Sequence, residues 1–120
     1  MRVLLADDQA PVRSALGLLL AQELDIDVVG EADASNSLLH RVEQTRPDLV
    51  LLDWELPGTA PTLLPALRAR CPGIKVIALS GQPGARQAAL HAGADAFVSK
   101  MDPAEYLLAA FAEMSRGEKK

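Results

Sequence analysis

Five short apolar runs alternate along the chain with five segments in which apolar residues recur every three or four positions. That alternation predicts strands covered on both faces and helices with one buried stripe. The first run, residues 3–6, precedes a helical pattern that opens at Pro11, which has no amide hydrogen to leave unpaired in a first turn. Val12, Leu16, Leu19 and Leu20 share one face of that helix. Residues 26–30 form the second run. Ser35 can cap the following helix, whose Leu38, Leu39 and Val42 face inward until Pro47 stops it. In the third run, residues 48–53, Val50 to Leu52 show no polar alternation, which predicts a central strand, and the run closes on a carboxylate, Asp53, before Pro57-Gly58.

In the second half, Pro65 is tolerable only in a first turn, so the third helix starts near Thr62 and buries Leu63, Leu67 and Cys71. Pro72-Gly73 turns into a fourth strand, residues 75–79, ended by Ser80. The next helix, residues 83–92, has Leu90 as its only large apolar residue, which predicts weak packing before Gly93 ends it. A fifth strand, residues 94–99, is followed by Lys100. Asp102-Pro103-Ala104-Glu105 then reads as a helix start with Asp102 as the cap, and Leu107, Phe111 and Met114 form the inner face. Gly117 is the expected stop, so residues 1–117 read as one domain and residues 118–120 as the start of a tail or linker.

At 120 residues the chain has the length of one domain with its own core. Hydrophobic residues make up 49% and aromatics 3%, so that core must be aliphatic, as in helices layered on a sheet. No run is long enough to span a membrane, and no cleavage pattern marks a leader, which together predict a cytoplasmic protein. The single cysteine, Cys71, reads as a small buried residue. A net charge of −4 without a clustered basic face argues against direct nucleic-acid contact by these residues.

Four runs end in polar groups: Asp7-Asp8, Asp53, Ser80 and Lys100. Parallel strands joined by right-handed crossovers bring all their carboxyl ends to one edge, where ligands bind in open α/β sheets. One strand-end Asp is an ordinary turn starter, but three converging carboxylates repel each other unless a positive group sits between them. Oxygen ligands without His or Cys point to a hard cation, Mg2+, and Lys100 and Ser80 add a cation and a hydroxyl suited to phosphate oxygens. His40 and His91 lack metal or catalytic partners and read as solvated surface, and Trp54 as a partly exposed neighbour of the carboxylate.

These residues resemble the receiver domain of bacterial two-component response regulators over nearly the whole chain: an acidic pair after strand one, Asp in a D-x-x-x-P-G turn after strand three, Ser after strand four and Lys after strand five. The resemblance implies a flavodoxin-like, doubly wound α/β fold of (βα)5 type, with a five-stranded parallel sheet in the order 2-1-3-4-5. It implies that Asp53 accepts a phosphoryl group from a sensor histidine kinase. Asp8, Asp53 and the Glu55 backbone carbonyl would bind Mg2+, with Asp7 acting through water, while Lys100 and Ser80 would contact the phosphate and Phe97 would be the aromatic switch. A homodimer formed on phosphorylation fits the same resemblance. The opening Leu-Leu-Ala-Asp-Asp and the absence of Pro after Lys100 resemble the subfamily with a helix-turn-helix output.

Two departures stand out. Thr59-Ala60-Pro61-Thr62 replaces the family's further Gly-containing loop, and Met101 replaces a Pro, so a trans Lys100–Met101 peptide is expected. Two other functions compete. A Mg2+-dependent phosphatase of the haloacid dehalogenase type also uses a strand-end Asp with an acid two residues on, here Glu55, but its nucleophile follows the first strand and its second acid is Asp. A degenerate receiver would act without phosphorylation, yet every expected metal and phosphate residue is present.

Overall fold

In the computed structural model, which describes residues 1–59 and 62–118, the apolar runs form β1 (Arg2–Ala6), β2 (Asp27–Ala32), β3 (Leu49–Asp53), β4 (Lys75–Ser80) and β5 (Ala96–Ser99). Between and after them lie α1 (Ala10–Ala21), α2 (Ser35–Thr45), α3 (Leu63–Arg70), α4 (Ala85–His91) and α5 (Ala104–Glu118). The strands pair in parallel in the order β2-β1-β3-β4-β5, the arrangement the resemblance implied. All five residues of β3 are buried, as the lack of polar alternation predicts for a central strand. Asp53 lies level with Leu79 of β4, and Ser80 with Ser99 of β5.

Alternate residues of each strand feed one of two aliphatic layers. One contains Leu4, Val50, Leu52 and Val76 with Leu38 and Val42 of α2 and Leu64 and Leu67 of α3. The other contains Val3, Leu5, Leu51 and Ile77 with Leu20 of α1 and Leu107 and Phe111 of α5. Helices therefore cover both faces. Of the expected α1 stripe only Leu20 is fully buried, because Val12, Leu16 and Leu19 line a groove of about 480 Å3 between α1 and α5.

Local chemistry departs from expectation at several helix ends. Ser35 does not cap α2 but is its first residue, and its amide donates to the Pro57 carbonyl at 3.0 Å. Ser37 serves the first turn instead, its hydroxyl accepting the Ala34 amide at 3.2 Å. The cause is close packing of the β3–α3 loop, since a Cβ on Gly58, at φ +85°, would lie 2.1 Å from Ser35 Oγ. Nor does Asp102 cap α5. The helix starts later, and the Asp102 carboxylate accepts the Ser99 amide at 3.3 Å, closing the turn after β5. α5 also continues through Gly117 to Glu118.

Thr62 precedes α3 and places Pro65 in its first turn, as expected, with Leu64 joining Leu63 and Leu67 in the core. Cys71 is buried, and the Lys100–Met101 peptide is trans. α4 is shorter than expected. It buries Ala85 and Ala89 at an i, i+4 spacing, which turns Leu90 outward, 41% exposed. Ala60 and Pro61 of the divergent loop, and Lys119 and Lys120 of the expected tail, lie outside the described residues.

Leu67→Ala should therefore cost about 3 kcal/mol, the usual range for a fully buried Leu. Leu90→Ala should change stability by less than about 0.5 kcal/mol. Urea unfolding of both variants checks this, and equal losses would contradict the packing described for α4.

Candidate functional site

β1, β3 and β4 deliver Asp7, Asp53 and Ser80 to one edge of the sheet, where each is at most 2% exposed. Asp8, one residue beyond Asp7, is exposed. Oxygens of Asp7, Asp8 and Asp53 all lie within 4.8 Å of one another, so the three carboxylates expected to converge do so. Lys100 reaches them from beyond β5, with Nζ 3.2 Å from Asp53 Oδ1 and 3.4 Å from Asp7 Oδ2. An ammonium group thus supplies part of the positive charge that sequence reasoning assigned wholly to a cation.

Asp53 Oδ1 also accepts the Glu55 amide at 3.1 Å. Among the described residues no hydrogen bond reaches Oδ2, so that oxygen is free to engage a ligand. Asp7 Oδ1 accepts the Gln9 amide at 2.9 Å. Arg13 braces the same turn, donating from Nη1 to the Asp7 carbonyl at 2.6 Å and pairing through Nε with Glu31 at 2.7 Å. Arg13 was missed in the sequence; the available signal was a charged residue in the first turns of an otherwise apolar helix.

Ser80 lies at the edge but, among the described residues, makes no hydrogen bond to Asp53. Its hydroxyl donates to Glu55 Oε2 at 2.7 Å and accepts the Gln82 amide at 2.9 Å. The sequence offered Glu55 as a backbone carbonyl ligand or as the second acid of a phosphatase, and its side-chain contact with Ser80 was missed because nothing local in sequence links positions 55 and 80. Phe97 and Trp54 are half-buried and pack against the layer under α2 and α3, with the Arg86 guanidinium 6.0 Å from the centre of the Phe97 ring. His40 and His91 are exposed, as expected.

Burial pushes the Asp53 carboxyl above its ordinary value, and the Glu55 amide and Lys100 offset this only in part. Burial pulls the Lys100 ammonium down, but hydrogen bonding and charge from Asp53, with Asp7, outweigh it and leave the group raised. A cluster of oxygen-only carboxylates suits a hard divalent cation, which would complete the neutralisation that one lysine begins.

A carboxyl raised by folding favours the folded state most when protonated, so its contribution is present below the ordinary value of 3.8 and lost as pH rises through the folded value. At pH 7 the ionised Asp53 is therefore a net cost. In metal-free buffer Asp53→Asn should raise the urea midpoint at pH 7, and the advantage over wild type should shrink as pH falls toward 4. Lys100 keeps Asp7 as a partner in that variant. An advantage that grew on acidification would contradict the assignment.

The sequence and fold of this chain match those of known proteins. The model of the response regulator receiver domain matches residues 3–112. The transcriptional regulatory protein DesR of Bacillus subtilis is 32% identical over 119 residues, covering 98% of this chain and 59% of that protein. The response regulator protein VraR of Staphylococcus aureus is 30% identical over 123 residues, covering 98% and 58%. This chain thus spans about three fifths of the length of these curated relatives. Among solved structures, the signal receiver domain of the response regulator NarL from Mycobacterium tuberculosis superimposes with a TM-score of 0.85 at 28% identity, over 97% of this chain and 96% of that one. With the family model matching residues 3–112 and the sheet order agreeing, the chain belongs to the response regulator receiver domain family.

Proposed function

We propose that this chain is a phosphorylation-switched signalling domain in which Asp53 accepts a phosphoryl group from the phosphohistidine of a sensor histidine kinase. The observation that carries the reading is the state of the Asp53 carboxylate: buried at a strand end, with Oδ1 held by Lys100 and the Glu55 amide and Oδ2 without a partner among the described residues. Oδ2 attacks phosphorus as the phosphorus–nitrogen bond to imidazole breaks, and the product is an acyl phosphate. Lys100 is placed to pair with the phosphoryl oxygens, and Ser80 and Phe97 are the switch pair.

Asp8, Asp53 and the Glu55 backbone carbonyl would hold Mg2+, and Asp7 would act through water. When bound, that cation neutralises charge on the phosphoryl oxygens. Asp7 also holds Lys100, which keeps the ammonium beside Asp53.

In this reading the domain assists only its own phosphorylation and dephosphorylation, and the phosphatase alternative loses support because the Glu55 carboxylate is engaged by Ser80. The receiver domain extends to the end of α5 at Glu118. The protein works in the cytoplasm, with a homodimer forming on phosphorylation. DesR is named a transcriptional regulatory protein, and control of transcription is the output proposed here, with DNA contact left to a segment other than this acidic domain.

Acetyl phosphate with Mg2+ should add one phosphoryl group to the wild type, seen by mass spectrometry, and none to Asp53→Asn. Lys100→Ala should slow labelling on the order of a hundredfold, as for loss of one charge-stabilising donor. Equal labelling of wild type and Asp53→Asn would exclude Asp53 as the acceptor.

Trp54 is the only tryptophan and directly follows Asp53. Its emission should change saturably with Mg2+, and Asp8→Ala should weaken that response at least tenfold. A response untouched by Asp8→Ala, followed in parallel by calorimetry, would remove Asp8 from the ligand set.

A further inference from the structure

Ser80 has one hydroxyl proton, and in the resting structure it is committed to Glu55 Oε2 at 2.7 Å. Such a short hydroxyl–carboxylate contact is charge-assisted and about twice as strong as a neutral hydrogen bond. The hydroxyl oxygen is also engaged, by the Gln82 amide at 2.9 Å, so Ser80 is held from both sides while only 1% exposed. Glu55 is anchored in turn, because its amide donates to Asp53 Oδ1 at 3.1 Å. Among the described residues no Lys or Arg pairs with its carboxylate, which leaves Ser80 as its partner.

A phosphoryl group on Asp53 would need the same proton. Glu55 and the phosphoryl oxygen cannot both accept it, so one bond must break for the other to form. We propose that the Glu55 side chain is a resting-state latch on Ser80: it competes with the phosphoryl group for the hydroxyl proton and so sets how readily the phosphorylated conformation is populated. This rests on the reading of Asp53 as phosphoacceptor. Glu55 acts through Ser80 and is therefore a positioning residue. A group that stabilises only the resting state lowers the apparent affinity of any ligand that requires the other state.

Fluoroberyllate, a phosphoryl mimic, provides the test, with binding followed by Trp54 emission at saturating Mg2+. Both Glu55→Ala and Glu55→Gln retain the backbone carbonyl, and Gln also retains a side-chain acceptor without the charge. Glu55→Ala should bind the mimic about ten- to a hundredfold more tightly than wild type, the range for release of one hydrogen bond to a charged group, with Glu55→Gln in between. In a Ser80→Ala background the gain should vanish. In resting protein without metal or mimic, the Gln82 amide resonance should move in Glu55→Ala and stay near its wild-type position in Glu55→Gln.

A gain of equal size in both backgrounds would mean simple charge repulsion and overturn the latch. An unmoved Gln82 amide in Glu55→Ala would overturn it without reference to phosphorylation. Failure of the wild type to bind fluoroberyllate in Mg2+ would instead overturn the phosphoacceptor reading, and this proposal with it.

Discussion

The Asp53 carboxylate sits at the end of a strand buried on both faces, where a charge without a partner is costly. Its partner comes from far along the chain. Lys100 follows β5, two strands away across β4, and only the order β3-β4-β5 brings its ammonium within 3.2 Å of Asp53. That contact constrains most of the molecule: β3 must be central, β4 must lie between, and the turn after β5 must point the lysine inward. The Asp102 carboxylate on the Ser99 amide holds that turn. The balance is incomplete, since Asp53 is still raised by burial, and an under-compensated carboxylate is one poised to bind a cation or an electrophile.

The helices over one face of the sheet are not held equally. α2 and α3 contribute fully buried Leu38, Val42, Leu64 and Leu67, whereas α4 contributes two alanines. α4 begins just beyond Ser80, and Phe97 packs nearby on β5 beneath Arg86. Few buried apolar contacts mean a low free energy for local rearrangement. Any change in the hydrogen bonding of Ser80 therefore acts next to the part of the fold that moves at least cost, while the carboxylates stay on strands that do not. Rigidity at the nucleophile and looseness beside the hydroxyl suit the switching role proposed above.

Much of the edge was legible in advance because it follows from local patterns joined by a topological rule. An apolar run ending in a polar group marks a strand end, and parallel strands with right-handed crossovers share one edge. That reasoning brought Asp7, Asp8, Asp53, Ser80 and Lys100 together, and all five lie there. Local helix chemistry was less reliable. Ser35 and Asp102 have the right residue types for caps, yet the Gly58 loop packs against Ser35 and the turn after β5 claims Asp102. Leu90 is the only large apolar residue of α4, yet the spacing of Ala85 and Ala89 decides which face of that helix is buried.

What the sequence determined by itself, then, was the five-fold strand–helix alternation, the central position of the third strand and the set of polar groups at strand ends, because each depends on residues that are neighbours along the chain. Only the tertiary structure decided which group pairs with which. Lys100 divides its ammonium between Asp53 and Asp7, Arg13 holds the Asp7 carbonyl, and the Ser80 hydroxyl donates to the Glu55 carboxylate. Hydrogen bonds and ion pairs operate over about 3 Å, and positions tens of residues apart acquire such distances only when register, side-chain length and burial are settled together.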